Sequence, residues 1–124
     1  NTQKVAQFLD QHPSIEKVNF TGLSSHPDHA IATKQMKQHA PLISFELKGG
    51  IEAGKKFIDA LQVCVRAISL GTVDTLVSHP ASMSHYGVSP EERAKYGITD
   101  GLIRMSVGIE NIEDLIADLT QALG

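Results

Sequence analysis

Apolar positions along this chain recur in two periods, and each period names an element. From Thr2 to Gln11, Val5, Phe8 and Leu9 fall on one stripe of a helix, which His12-Pro13 stops. Val18 and Phe20 then alternate with polar residues in a short strand ending near Thr21-Gly22. Asp28 to Gln38, opening after Pro27, reads as a second helix. In "LISFELKGG", Ile43, Phe45 and Leu47 share one face while Ser44, Glu46 and Lys48 share the other. Gly49-Gly50 ends this strand, which has one wet face. Ile51 to Gln62 is a third helix, carrying Phe57, Ile58 and Leu61, and "VRAISL" and "VDTLVS" are short strand candidates around Gly71. "SPEE" opens a short helix, with Ser89 as cap, Pro90 in first position and Glu92 completing a capping box; Gly97 ends it. Asn111 caps the last helix, whose positive end suits Glu113 and Asp114. Ile112, Leu115, Ile116, Leu119 and Leu123 form its buried stripe.

One strand does not fit a purely structural reading. In "ITDGLIRMSVG", alternation puts Ile103, Met105 and Val107 on one face and Leu102, Arg104 and Ser106 on the other. The first face suits a core. The second carries a charge that does not titrate in proteins. Helices alternating with one-sided strands predict an α/β fold of the α+β kind, a two-layer sandwich with a mostly antiparallel sheet and helices on one face. Arg104 then lies on the other face, which is partly polar and open to something else.

Composition narrows the classes. The 124 residues make one domain, able to hold a core without staples. A net charge of −3, no basic block and 5% aromatic residues argue against nucleic acid as a partner. No apolar run approaches the roughly 20 residues of a membrane span, and no signal peptide is visible. A single cysteine, Cys64 between two valines, cannot form an internal disulfide and reads as a buried small hydrophobe. A reducing cytoplasm is the simplest setting. The start at Asn1, at a helix start and without methionine, points to a piece of something longer.

The candidate chemistry is sparse. His26, His29, His79 and His85 lack metal-ligand spacing with Cys64 or the carboxylates, so no metal site is expected, and they read as polar loop residues beside prolines. "GLSSH" lacks the second glycine of a nucleophile elbow, and no glycine-rich phosphate loop is present. Arg104 has two readings. The commoner is an ion pair with a neighbouring Glu or Asp, which contributes only about 0–1 kcal/mol at a surface. The other is a receptor for a carboxylate, gripped by the planar guanidinium at two points.

Several stretches together raise the second reading. "ISLGTVDTLVSHPASMSH" followed by "SPEERAKYGITDGLIRMSVGIENIEDLIADLTQAL" resembles the C-terminal domain of the Cys/Met-metabolism enzymes dependent on pyridoxal 5'-phosphate. "GLSSHPDHAIATKQM" and "ISFELKGG" resemble the same family, so the likeness covers essentially the whole chain. It implies the small C-terminal domain of a fold-type I enzyme, residues 1–124 forming a single domain whose cofactor-binding partner domain is absent. It also implies that Arg104 binds the substrate's α-carboxylate and that Ser69, in the SLG turn, sits beside it. Ser84 stands where the family usually has threonine, in the same neighbourhood. The cofactor is then held by a lysine of a large N-terminal domain, and none of the eight lysines here is taken for it. No catalytic or cofactor-binding residue is assigned in the chain, which alone is expected to be inactive.

The reaction implied is chemistry at the γ-carbon of a sulfur amino acid. Elimination would turn methionine into methanethiol, 2-oxobutanoate and ammonia. Replacement, as in O-acylhomoserine sulfhydrylase or cystathionine γ-synthase, would exchange a γ-substituent for a thiol. Ile68 bears on the choice, because enzymes handling cystathionine often carry glutamate just before the SLG serine. An apolar residue there resembles methionine γ-lyases and homoserine sulfhydrylases. Thr72 and Asp74 depart from the family's usual run and leave fine specificity open. The expected partners are the amino-acid substrate, the chain's own large domain and the other subunits of a homotetramer. Two further readings stand beside this one: a free-standing amino-acid-binding module without catalysis, and a structural domain in which Arg104 is an ordinary ion pair.

Overall fold

A computed structural model describes all residues 1–124. Five strands, β1 (Ile15–Asn19), β2 (Leu42–Leu47), β3 (Val65–Arg66), β4 (Leu76–Ser78) and β5 (Leu102–Ser106), form one sheet in the order β1-β2-β5-β4-β3. Three of the four pairings are antiparallel, and β3 runs parallel to β4 at one edge. Helices α1 (Thr2–Asp10), α3 (Gly50–Ala60) and α5 (Ile112–Leu123) pack together over one face; α2 (His29–Gln35) and α4 (Pro90–Lys95) are short. No helix is long and apolar enough to cross a membrane.

The core forms where the alternation predicts it. Ile43, Phe45 and Leu47 of β2 and Ile103 and Met105 of β5 point to the helix layer, where they meet Val5, Leu9, Phe57, Leu115 and Leu119 in a single cluster. The Phe45 and Phe57 rings meet edge to face at 5.7 Å, the geometry that ring quadrupoles favour. One contiguous cluster means one domain.

The departures from the sequence reading have local causes. Residues 67–70 and 73–75, expected to extend two strands, belong with 71 and 72 to one loop. Gly71 turns the chain at φ +80°, and two polar groups of the loop bond to side chains of β5 rather than to another strand. Parallel β3 and β4 cannot be joined by a hairpin, so the connection arches instead. α2 stops at Gln35, because Met36 is already extended. Ser89 Oγ accepts the Glu92 N–H at 3.2 Å, but the return half of the capping box is missing, since the Glu92 carboxylate takes Lys95 Nζ at 2.6 Å instead. β1 carries a bulge between Ile15 and Lys17.

His79 lies in a loop beside Pro80, as expected, but is not at the surface. It is completely buried. Its Nε2 lies 2.7 Å from the Asp100 carbonyl oxygen and its Nδ1 2.8 Å from Ser82 Oγ. A neutral ring satisfies both, Nε2–H donating to the carbonyl and Nδ1 accepting from the hydroxyl. Helix α3 makes room with a glycine: a Cβ on Gly54 would stand 2.3 Å from His79 Nε2. Helix propensity alone makes Gly→Ala favourable by about 0.5–1 kcal/mol. Here the clash wins, because the ring cannot swing away without breaking both bonds. Gly54→Ala is expected to destabilise the fold by about 2–4 kcal/mol, read as a lowered midpoint of thermal or urea unfolding.

Candidate functional site

Arg104 sits mid-way along the central strand, on the face away from the helices. Its cross-strand neighbours are Ser44 of β2 and Ser78 of β4, two small side chains that leave room above the sheet. Asn19 Nδ2 donates to Ser44 Oγ at 3.2 Å, so the polar row runs on to β1. One end of this face is roofed by the 67–75 loop, which is why Ser106 and Leu76 are buried although they point away from the helices. Arg104 Nη2 donates to the Ser69 carbonyl oxygen at 3.0 Å, and the Gly71 N–H donates to Ser106 Oγ at 2.9 Å.

The guanidinium has no acidic partner. The four ion pairs of the structure are Lys55–Glu52, Arg66–Asp59, Arg93–Asp100 and Lys95–Glu92. Arg104 Nε is buried and bonded to nothing. The ordinary ion-pair reading therefore fails on geometry. A planar cation that no acid answers, half-buried on a rigid strand, is suited to a carboxylate arriving from outside.

The other sequence-derived residues are placed unevenly. Ser69 reaches Arg104 through its peptide oxygen, while its side chain is exposed. Ile68, beside it, is 55% exposed, and Leu70, Val73 and Ile109 add further exposed apolar surface. Ser84 is exposed and bonds to His85 Nδ1 at 2.9 Å, with no link to Arg104. His26 and His29 do not converge: His26 Nδ1 accepts the Asp28 N–H, whereas His29 stacks on His39 and bonds to the Thr21 carbonyl. No three His, Cys, Asp or Glu side chains gather as metal ligands would. Cys64 is buried; burial pushes its thiol up, and the Asp118 carboxylate beside it pushes it further. Sequence reading missed Ser106, Thr75 and Glu110 as supports of the loop. The alternation already placed Ser106 on the face of Arg104; nothing local marked the other two.

A sequence profile of the Cys/Met metabolism PLP-dependent enzymes matches residues 1–124. The chain belongs to that family. It is 57% identical over 123 residues to the L-methionine gamma-lyase of Fusobacterium nucleatum subsp. polymorphum, covering 99% of this chain and 31% of that protein. It is 46% identical to the cystathionine gamma-lyase of Dictyostelium discoideum, covering 99% of this chain and 32% of that one. The solved cystathionine gamma synthase from Xanthomonas oryzae pv. oryzae, in complex with aminoacrylate and cysteine, superposes with a TM-score of 0.89 at 46% identity. It matches over 98% of this chain and 32% of its own. The chain thus spans about a third of the length of the relatives it matches.

The family depends on pyridoxal phosphate. The residues of this chain do not form a cradle for it. All eight lysines are exposed, and both tyrosines, at 80% and 73% exposure, have no enclosed face on which a ring could stack. The one Ser-x-x-Lys spacing, Ser14 to Lys17, puts its lysine exposed on edge strand β1, away from Arg104.

Proposed function

We propose that this chain is the C-terminal, substrate-carboxylate-binding part of a pyridoxal-phosphate enzyme acting on sulfur amino acids, of the methionine γ-lyase type. The rest of the polypeptide holds the cofactor, and the complete protein works in the cytoplasm as a homo-oligomer. The observation that carries this is the unpaired guanidinium of Arg104, with its buried, unbonded Nε and one bond to the Ser69 carbonyl. Arg104 fixes the α-carboxylate, and the sheet behind it keeps the guanidinium from following the substrate, so the reacting carbon is oriented. Ser69 lies beside Arg104 through its peptide oxygen, and the family resemblance assigns the hydroxyl of Ser84 to the same carboxylate. Ile68, apolar and at the loop's edge, favours a substrate without a distal ammonium group, such as methionine, over cystathionine. By itself the chain is inactive, because it lacks the cofactor's cradle.

γ-Replacement is the second reading, favoured by the likeness to a cystathionine gamma synthase. One experiment separates the readings. The native gene product is isolated, its intact mass and visible spectrum are recorded, and it is given L-methionine. The lyase reading expects a subunit several times heavier than 13.4 kDa, a yellow cofactor band, and equal yields of methanethiol, 2-oxobutanoate and ammonia. A yellow protein that releases no methanethiol but joins a thiol to an O-acylhomoserine is a replacement enzyme. A colourless product of 13.4 kDa overturns both and leaves a free-standing binding module.

A further inference from the structure

The carboxylate site is only as well defined as the loop that meets Arg104, and that loop has few tethers. Residues 67–75 leave β3 after the Ala67 N–H bond to the Val77 carbonyl and return at Thr75. The return is anchored firmly: Thr75 is completely buried, its N–H and hydroxyl both donate to the Glu110 carboxylate, and its Oγ accepts the Gly108 N–H. At Val73 the carbonyl takes the Ile109 N–H. Between Ala67 and Val73 only two bonds join the loop to the sheet beneath it. One is from Arg104 Nη2 to Ser69; the other is from Gly71 to Ser106 Oγ. Ile68, Ser69, Leu70 and Gly71 are otherwise exposed.

Resting on the carboxylate reading of Arg104, we infer that Ser106 is a positioning residue for substrate binding. Two residues beyond Arg104 on the same strand face, and 3% exposed, Ser106 cannot drift. Its hydroxyl pins Gly71, whose φ of +80° turns the loop back across the sheet. That pin brings the Ser69 peptide onto Arg104 Nη2 and so helps to fix the plane of the guanidinium. Without it, Arg104 alone holds the middle of the loop. The guanidinium is then shared between holding the loop and holding the substrate, and a looser loop must be ordered each time substrate binds.

The test uses the complete enzyme with cofactor bound and L-methionine as substrate. Ser106→Ala removes the acceptor with almost no change of volume. Gly71→Ala leaves the acceptor but strains the turn; its Cβ would point into open space, so the core is untouched. Both variants are expected to raise KM about 3–10-fold, the size of one neutral hydrogen bond, with kcat within about twofold. Combined with Arg104→Lys, Ser106→Ala is expected to add less than its own factor, because it acts through Arg104. An unchanged KM in both single variants, with Arg104→Lys still raising it, overturns the role of Ser106 and leaves the carboxylate reading intact. So does full additivity with Arg104→Lys, or a fall in kcat with no change in KM, either of which marks a merely structural effect. If Arg104→Lys itself leaves KM unchanged, the carboxylate reading falls first.

Discussion

Alanine at Arg104 is expected to raise KM for L-methionine by about 100-fold or more in the complete enzyme, while the visible spectrum of the bound cofactor stays as it was. The size follows from two charge-assisted hydrogen bonds of about 1.5–3 kcal/mol each, reduced by the water that takes their place. The effect falls chiefly on KM because the carboxylate is not itself transformed and is gripped both before and during reaction. Lysine at the same position keeps the charge and loses the two-point grip, so an intermediate rise of about tenfold is expected. Folding is not at risk, since Arg104 has no acidic partner to strand and its one bond is to an exposed loop. Steady-state kinetics with a matching cofactor spectrum decides the matter. An alanine variant with unchanged KM would remove Arg104 from substrate recognition altogether.

Asp118 is the second place where one substitution should matter most. Its residue is 4% exposed, on the buried side of α5. One carboxylate oxygen accepts the Gln62 N–H and the other accepts those of Val63 and Cys64, at 2.8 to 2.9 Å. Gln121 Nε2 adds a fourth bond at 3.0 Å. Burial pushes this carboxyl up, but the backbone N–H groups and Gln121 together pull it lower, so it ends below the usual aspartate range. A lowered folded-state value means that the stabilisation is fully present above the ordinary aspartate value of about 3.9 and is lost as pH falls through the lowered one. Asp118→Asn leaves one acceptor oxygen for three backbone donors and is expected to destabilise the fold by about 2–4 kcal/mol at neutral pH. Its unfolding midpoint should also lose the part of the acid dependence that this carboxylate supplies. Urea titrations of both proteins from pH 7 down to pH 3 check this; parallel curves at every pH would show that Asp118 anchors nothing through its charge.

Most of the fold was legible because the chain obeys simple periods. The apolar sets of β2 and β5 alternate cleanly, and the stripe of α5 repeats every three or four residues, so both layers and the side of the sheet that carries Arg104 follow from pattern. Residues 67–70 and 73–75 were misread because Ile68, Leu70 and Val73 look like strand residues, and no local signal shows that the Ser69 carbonyl and the Gly71 N–H between them bond to side chains of a strand more than 30 residues away. His79 was misread for a like reason: its partners are a glycine of α3 and the carbonyl of Asp100, neither visible from "HPASM". Arg104 was the reverse case. Its alternation marked it as odd, but only the three-dimensional neighbourhood of Ser44, Ser78 and the Ser69 carbonyl shows that no acid answers it.

The bulge in β1 and the two-residue length of β3 have a consequence for crowded solutions. These are the outer strands, and outer strands are where one sheet can continue into another molecule's. At one rim the bulge breaks the register beside the exposed Glu16 and Lys17; at the other, β3 offers too short a rail, with Arg66 on it, before the chain arches away. Neither rim templates a sixth strand. The two rims thus disfavour fibre-like growth along the sheet.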